Sequence, residues 1–232
     1  MELVWDGMVK AFELLLRGDR EVLGITFLTL QVSGLATLIS VIIGVPLGVF
    51  LALAVFPGRN VVVSIVNFGM GLPPVVVGLW VSIFLWRSGP LGFLNMMYTP
   101  GAIIVAQAII ASPIVTGFTI AAIGQLNHKI KLQILALGAS RLQLLWLLIR
   151  EARMGLIAAV IAGFGGVISE VGASMMVGGN ISGYTRVLTT ATVMEVSKGN
   201  FDIAIAISVI LMLLAYTITF ALTMLQQKDR HS

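Results

Sequence analysis

Long apolar blocks separated by short polar punctuation set the pattern of the chain. Residues Glu2 to Leu16 place apolar side chains at Leu3, Val4, Met8, Ala11, Phe12, Leu15 and Leu16. That helical spacing predicts an amphipathic helix lying in a membrane interface. From Val22 to Phe56 the apolar run exceeds one perpendicular crossing and ends at the turn signal Pro57-Gly58-Arg59-Asn60, which predicts one long tilted helix or a span with a helical extension. A second block, Val61 to Trp86, is interrupted by Gly71-Leu72-Pro73-Pro74, where missing amides and the restriction before proline break or kink a helix. Its membrane part is expected at Val75 to Trp86. Arg87 to Pro100 reads as a loop and Gly101 to Ile123 as a third span containing Pro113. Gly124 to Arg153 is a polar-interrupted stretch, Met154 to Val177 a fourth span, Gly178 to Asn200 a glycine-rich loop, and Phe201 to Leu225 a fifth span before the polar tail Gln226 to Ser232. At about 20 residues per crossing, the blocks supply five spans and little else.

Composition narrows the class. Only 10% of the 232 residues are charged and 58% are apolar, against about 25% charged in a soluble domain. The expectation is an all-α, polytopic membrane protein, one transmembrane domain over residues 1–232, with no room for a soluble catalytic domain. The chain has no cysteine, and His128 and His231 are its two histidines, so no metal centre and no cofactor are expected. The net charge of +4 contains no run of four basic residues, which argues against a nucleic-acid partner and points to topology instead. The first twenty residues lack the apolar core of a cleavable signal peptide, so the first span is expected to do the targeting. With the amino terminus outside and the carboxyl terminus cytoplasmic, the inner segments hold Arg59, Lys129, Lys131, Arg141, Arg150, Arg153, Lys228 and Arg230. The outer loops between spans hold Arg87, Arg186 and Lys198.

Few side chains are candidates for chemistry. Ala36, Ser40, Gly44, Gly48 and Ala52 recur at steps of four, a small-residue stripe on which another helix packs closely. Ala158, Ala162 and Gly166 repeat the device, and the next position on that face is Glu170. A carboxylate at membrane depth is a functional candidate; the structural reading is that Glu170 bonds a neighbouring helix or Arg186. The hydroxyls of Thr185, Thr189, Thr190 and Thr192 offer neutral donors to a passing anion, or ordinary loop caps. Glu170, Ser112, Pro113, Thr185, Thr189 and Thr190 form the candidate lining of a translocation path. The Gly178 to Arg186 loop lacks the lysine and preceding strand of a phosphate loop. Between spans three and four, His128 to Gly155 reads as a short helix, the turn Gly138-Ala139-Ser140, and a second helix from about Arg141. On the basic inner side such a hairpin either docks on a cytoplasmic partner or rests on lipid headgroups. Leu132, Leu135, Ala136, Leu142, Leu145 and Trp146 supply its apolar face.

Leu135-Ala136-Leu137-Gly138-Ala139-Ser140, followed by Glu151-Ala152-Arg153-Met154-Gly155-Leu156, resembles the cytoplasmic loop of ABC-importer permeases. The family's Glu-Ala-Ala triplet is replaced here by Leu132-Gln133-Ile134, and its later proline is absent. Gly44-Val45-Pro46-Leu47-Gly48, Leu72-Pro73-Pro74-Val75-Val76-Val77-Gly78 and Ala111-Ser112-Pro113 extend the resemblance. Within that family, Glu170-Val171-Gly172-Ala173, Met175 to Ile181, Thr185 to Ala191 and Glu195 to Gly199 resemble the tungstate permeases, with molybdate permeases close by. The resemblance implies a type I ABC importer permease fold and a homodimer in the inner membrane. It also implies cytoplasmic ABC ATPase subunits that hydrolyse the ATP, an extracytoplasmic oxyanion-binding protein, and coupling through the loop at about 124–153 with Leu135 to Ser140 at its centre. The competing expectation is an ion-coupled secondary transporter or channel using Glu170, although no internal repeat of the kind common in such carriers is visible. A membrane enzyme is disfavoured because no base–nucleophile or metal constellation is present.

Overall fold

The computed structural model describes residues 2–228, which form eleven α-helices and one 3-10 turn at Gly92–Leu94, with no strand among them. In chain order the helices are α1 (Glu2–Arg17), α2 (Arg20–Leu53), α3 (Arg59–Met70), α4 (Pro74–Leu85), α5 (Pro100–Gly124), α6 (His128–Ala136), α7 (Arg141–Glu151), α8 (Arg153–Ile168), α9 (Gly172–Gly178), α10 (Leu188–Lys198) and α11 (Phe201–Lys228). Three of them, α2, α5 and α11, are long and apolar enough to cross a membrane alone. The pairs α3–α4, bent by 100°, and α8–α9, bent by 59°, bring the number to five if each pair is one span. The Arg230 expected on the inner side lies outside the described residues.

Helix α2 is the long first span, 34 residues without a break. Asp19 caps its start by accepting from the Val22 amide at 3.0 Å. Arg59 Nε donates to the Leu51 carbonyl at 2.6 Å near its end. Its small-residue stripe packs on α5, the central helix of the fold. A methyl added at Gly44 would stand 2.9 Å from Val115, and one at Gly48 would stand 2.6 Å from Thr119. Both distances are shorter than side chains tolerate, so glycine is what lets the two backbones approach. Ser40 lies on the same face and donates to the Ala108 carbonyl of α5 at 3.2 Å. Pro113, in the middle of α5, is where α3 leans in, since a methyl on Gly69 would stand 2.8 Å from its ring.

The fourth span differs from the expected pattern twice. Its packing face is shifted by one residue from Ala158, Ala162 and Gly166. Ala159, Gly163 and Val167 are buried, and methyls at Gly155 and Gly163 would meet Ala122 and Val115 of α5 at 2.4 and 2.7 Å. In a segment where small residues fall on both stripes, the partner helix selects the face, and the sequence of α8 alone does not. The span also breaks after Ile168, so Glu170 does not continue a helical stripe.

One further expectation is corrected. Residues Gly178 to Asn200 are not all loop, because Leu188–Lys198 is helical. Thr29 of α2 accepts from the Leu188 amide at 2.9 Å, Thr190 accepts from Val187 N at 3.1 Å, and Gly199 with φ 81° ends the helix. Helix α1 is present as read, but it packs along α11. Ala11 is buried, Lys10 pairs with Asp202, and Gly7 sits where any side chain would collide with Ile205. The hydrophobic residues Ala11, Val22, Ile25, Leu188, Ala206 and Ile210 form one core, which ties α1, α2, α10 and α11 together.

Candidate transport site and coupling loop

Four buried polar side chains, Gln107, Glu170, Ser174 and Thr189, meet at the break between α8 and α9. Glu170 is 6% exposed. Its Oε1 accepts from the Ala173 amide at 2.8 Å, which caps the seven-residue helix α9. Its own carbonyl accepts from Thr189 Oγ1 of α10 at 2.9 Å. From the opposite side Gln107 of α5, 2% exposed, donates through Nε2 to Ser174 Oγ of α9 at 3.1 Å and toward the Val167 carbonyl of α8 at 3.4 Å. Thus α9 and α10 both bond to Glu170 inside the break, and α5 bonds to the helices on either side of it. Arg186 does not reach Glu170; its Nη1 pairs with Glu21 at 3.2 Å.

The candidate threonines donate within the fold. Thr185 Oγ1 donates to the Gly178 carbonyl at 2.6 Å and accepts from Ile181 N at 2.9 Å, closing the turn after α9. Thr190 donates to the Val187 carbonyl at 3.0 Å and Thr192 to Leu188 at 2.9 Å. Ser112, immediately before Pro113, whose position has no amide to offer, donates to the Ala108 carbonyl at 2.6 Å. Glu170, Thr185, Thr189 and Thr190 therefore belong to one connected region around α9 and α10, whereas Ser112 and Pro113 lie further along α5. At the end of α10, hydrogen bonds from Lys198 and Asn200 at 2.8 Å hold the Glu195 carboxyl below the usual carboxylate range. Gln107, Ser174 and Thr29 went unnoticed in the sequence. A lone amide in the apolar run of α5 was the available signal for Gln107.

The loop between α5 and α8 is a helical hairpin, as its sequence indicates. Asn127 caps α6 by accepting from Lys129 N at 2.9 Å. Gly138 takes φ 79°, and the amides of Gly138 and Ala139 donate back to Leu135 and Ile134 at 3.0 and 3.3 Å, the left-handed stop that favours glycine. Ser140 then opens α7 with a capping box, Gln143 N to Ser140 Oγ at 3.3 Å and Ser140 N to Gln143 Oε1 at 2.8 Å. Nothing lies within 4 Å of a methyl built at Gly138, so the turn is open to a partner. Leu137 (88% exposed), Leu142 (79%) and Trp146 (59%) stand outward around it. Leu145, expected on that face, instead turns toward α2 with Ile149.

The comparisons with known proteins agree with this arrangement. Residues 44–230 match the family model described as the binding-protein-dependent transport system inner membrane component. The chain is 39% identical over 228 residues to the tungstate uptake system permease protein TupB of Peptoclostridium acidaminophilum, covering 98% of this chain and 100% of that one. It is 26% identical over 172 residues to the molybdenum transport system permease protein ModB of Escherichia coli K12, covering 71% of this chain and 75% of that one. In fold it is similar to a chain of the inward-facing MetNI methionine ABC transporter, with a TM-score of 0.73 at 24% identity over 90% of this chain and 94% of that one. The all-helical architecture with broken spans and a protruding hairpin is thus the type I ABC importer permease fold. The chain belongs to the inner membrane components of binding-protein-dependent transport systems, a family of transport subunits rather than enzymes.

Proposed function

We propose that this chain is the membrane-spanning subunit of an ATP-driven importer for a tetrahedral oxyanion, tungstate first and molybdate second. The observation that carries the reading is the near-complete match to a tungstate uptake permease, joined to an exposed glycine-centred hairpin with three apolar side chains facing outward. Two copies of the chain form the pathway, an ABC ATPase binds under each hairpin through Leu135 to Ser140, and an oxyanion-binding protein delivers cargo from the other face. ATP-driven closure moves α6 and α7, and the hairpin passes that movement to α8, which follows α7 with a single residue between them. Glu170, Thr185, Thr189 and Thr190 line the region that responds, with Ser112 and Pro113 further along α5. A permease that held a dianion on several arginines would release it slowly, so selection falls to the binding protein.

The carrier reading, in which Glu170 binds a coupling ion, is not favoured: its carboxylate already serves as the cap of α9. The basic residues of the hairpin, Lys129, Lys131, Arg141, Arg150 and Arg153, support an orientation with the amino terminus outside and the hairpin inside.

Three outcomes are expected. In liposomes containing the chain, its ATPase and its binding protein, tungstate-loaded binding protein stimulates ATP hydrolysis more than molybdate-loaded or empty protein. No stimulation by any loaded form contradicts the importer reading. Because the chain has no cysteine, single substitutions report orientation without background in whole cells. Ser182→Cys is labelled by an impermeant maleimide and Gln143→Cys is protected; the reverse pattern inverts the topology. Glu170→Gln keeps an acceptor oxygen and near-normal uptake, whereas Glu170→Ala loses the cap and about 1 kcal/mol of stability measured by thermal unfolding in detergent. Abolished uptake in a stably folded Glu170→Gln variant would restore the ion-coupled reading.

A further inference from the structure

Helix α7 lies beside the last turns of α2 and meets them in part, Leu145 and Ile149 packing toward Val49. Its residues Arg141, Leu145 and Ile149, at steps of four and therefore on one helical face, look across a cavity of about 720 Å³ at Pro46, Val49 and Leu53. The gap is a wedge. At the root of α7, Leu148 and Ala152 are buried, and Ala152 packs with Val49 and Ile123. At the other end Arg141 is exposed. Apart from this guanidinium the named walls carry aliphatic side chains, and an apolar space offers water no partners. The α2 wall is continuous with a membrane-spanning helix, which makes hydrocarbon the natural filling.

The charge at the mouth selects the kind of lipid. Among the described residues Arg141 makes no hydrogen bond or ion pair, and a guanidinium matches phosphate geometry through paired N–H donors. The same hairpin carries Lys129, Lys131, Arg150 and Arg153 against the single acid Glu151, a juxtamembrane excess that attracts anionic headgroups. Trp146 is 59% exposed on α7, next in sequence to Leu145, with Arg150 5.3 Å above its ring. That arrangement suits the headgroup level, where amphipathic rings concentrate.

We propose that this groove binds one anionic phospholipid of the cytoplasmic leaflet, its acyl chain between α2 and α7 and its phosphate on Arg141. The lipid fills the space between the hairpin and the first span, so that movement of α7 is transmitted to α2 as well as to α8. The proposal rests on the cytoplasmic placement of the hairpin for the choice of leaflet alone.

The test uses the full chain with Trp146 as its one tryptophan (Trp5→Phe, Trp80→Phe, Trp86→Phe), in symmetric vesicles with no ATPase present. Its outcome therefore does not depend on orientation or cargo. Trp146 emission is followed as brominated phosphatidylglycerol or brominated phosphatidylcholine is added to the vesicle lipid. The expected result is an about fivefold preference for phosphatidylglycerol, the effect of one near-surface cation. Arg141→Gln abolishes that preference and Lys129→Gln keeps it. Equal quenching by the two lipids, or a preference unchanged in Arg141→Gln, overturns the site. Absence of quenching by either lipid also overturns it, since the groove is then closed by protein, a second copy included. Should the triple substitution fail to fold, mass spectrometry of phospholipid retained by the otherwise unaltered chain after a detergent wash makes the same comparison. Phosphatidylglycerol enriched on that chain and lost from Arg141→Gln supports the site, and equal retention overturns it.

Discussion

Inside a bilayer no water is available to an unpaired amide or carbonyl, so every interruption of a helix must be bonded from within the protein. This chain interrupts two of its candidate spans, and the second interruption organises the fold around it. Between α8 and α9 the Glu170 carboxylate takes the Ala173 amide, Thr189 takes the Glu170 carbonyl, and Gln107 reaches both sides of the break. Each interhelical bond of this kind contributes about 0.6 kcal/mol in a membrane protein, little beside the cost of leaving the groups bare. Their greater effect is geometric: α5, α9 and α10 are held in one arrangement about a 59° bend.

Close helix packing makes that arrangement possible. Gly44 and Gly48 of α2 and Gly155 and Gly163 of α8 let both helices approach α5 to distances at which a methyl would collide. Helix α5 is thereby fixed between them and can present Gln107 to the break. The hairpin at the other end is built the opposite way. Its caps, Asn127, Ser140 and Gln143, and its left-handed Gly138 define its shape by local bonds, while its apolar side chains remain uncovered. The break is thus held by bonds between elements distant in sequence, and the hairpin by bonds within itself.

Much of this was legible in the sequence. Apolar run lengths marked the three helices able to cross alone and the two bent pairs, Gly71-Leu72-Pro73-Pro74 marked the bend between α3 and α4, and Gly138-Ala139-Ser140 marked the hairpin turn, because each is a local constraint on backbone or hydropathy. What escaped was non-local. No proline or turn dipeptide announces the break at Glu170; it is maintained by Gln107 and Thr189, which are distant in sequence. Helix α10 reads as loop in the sequence because its threonines and the glycines before it resemble turn chemistry, and Thr29, which accepts from the Leu188 amide, lies on α2. The packing face of α8 was misplaced by one residue because Ala158, Ala159, Ala162 and Gly163 allow either stripe, and Val115 of α5 decides between them. The outward or inward facing of Leu145 likewise depends on α2.

The central claim is that the α8–α9 break is a joint held by the cross-helix hydrogen bonds of Gln107 and Thr189 and not a loose one. Amide hydrogen exchange across residues 168–175, measured in lipid nanodiscs, tests it most directly. The account predicts slow exchange at Glu170 and Ala173 in the unaltered chain, and clear acceleration in Gln107→Leu and Thr189→Val. Rapid exchange in the unaltered chain, or rates indifferent to both substitutions, would contradict it.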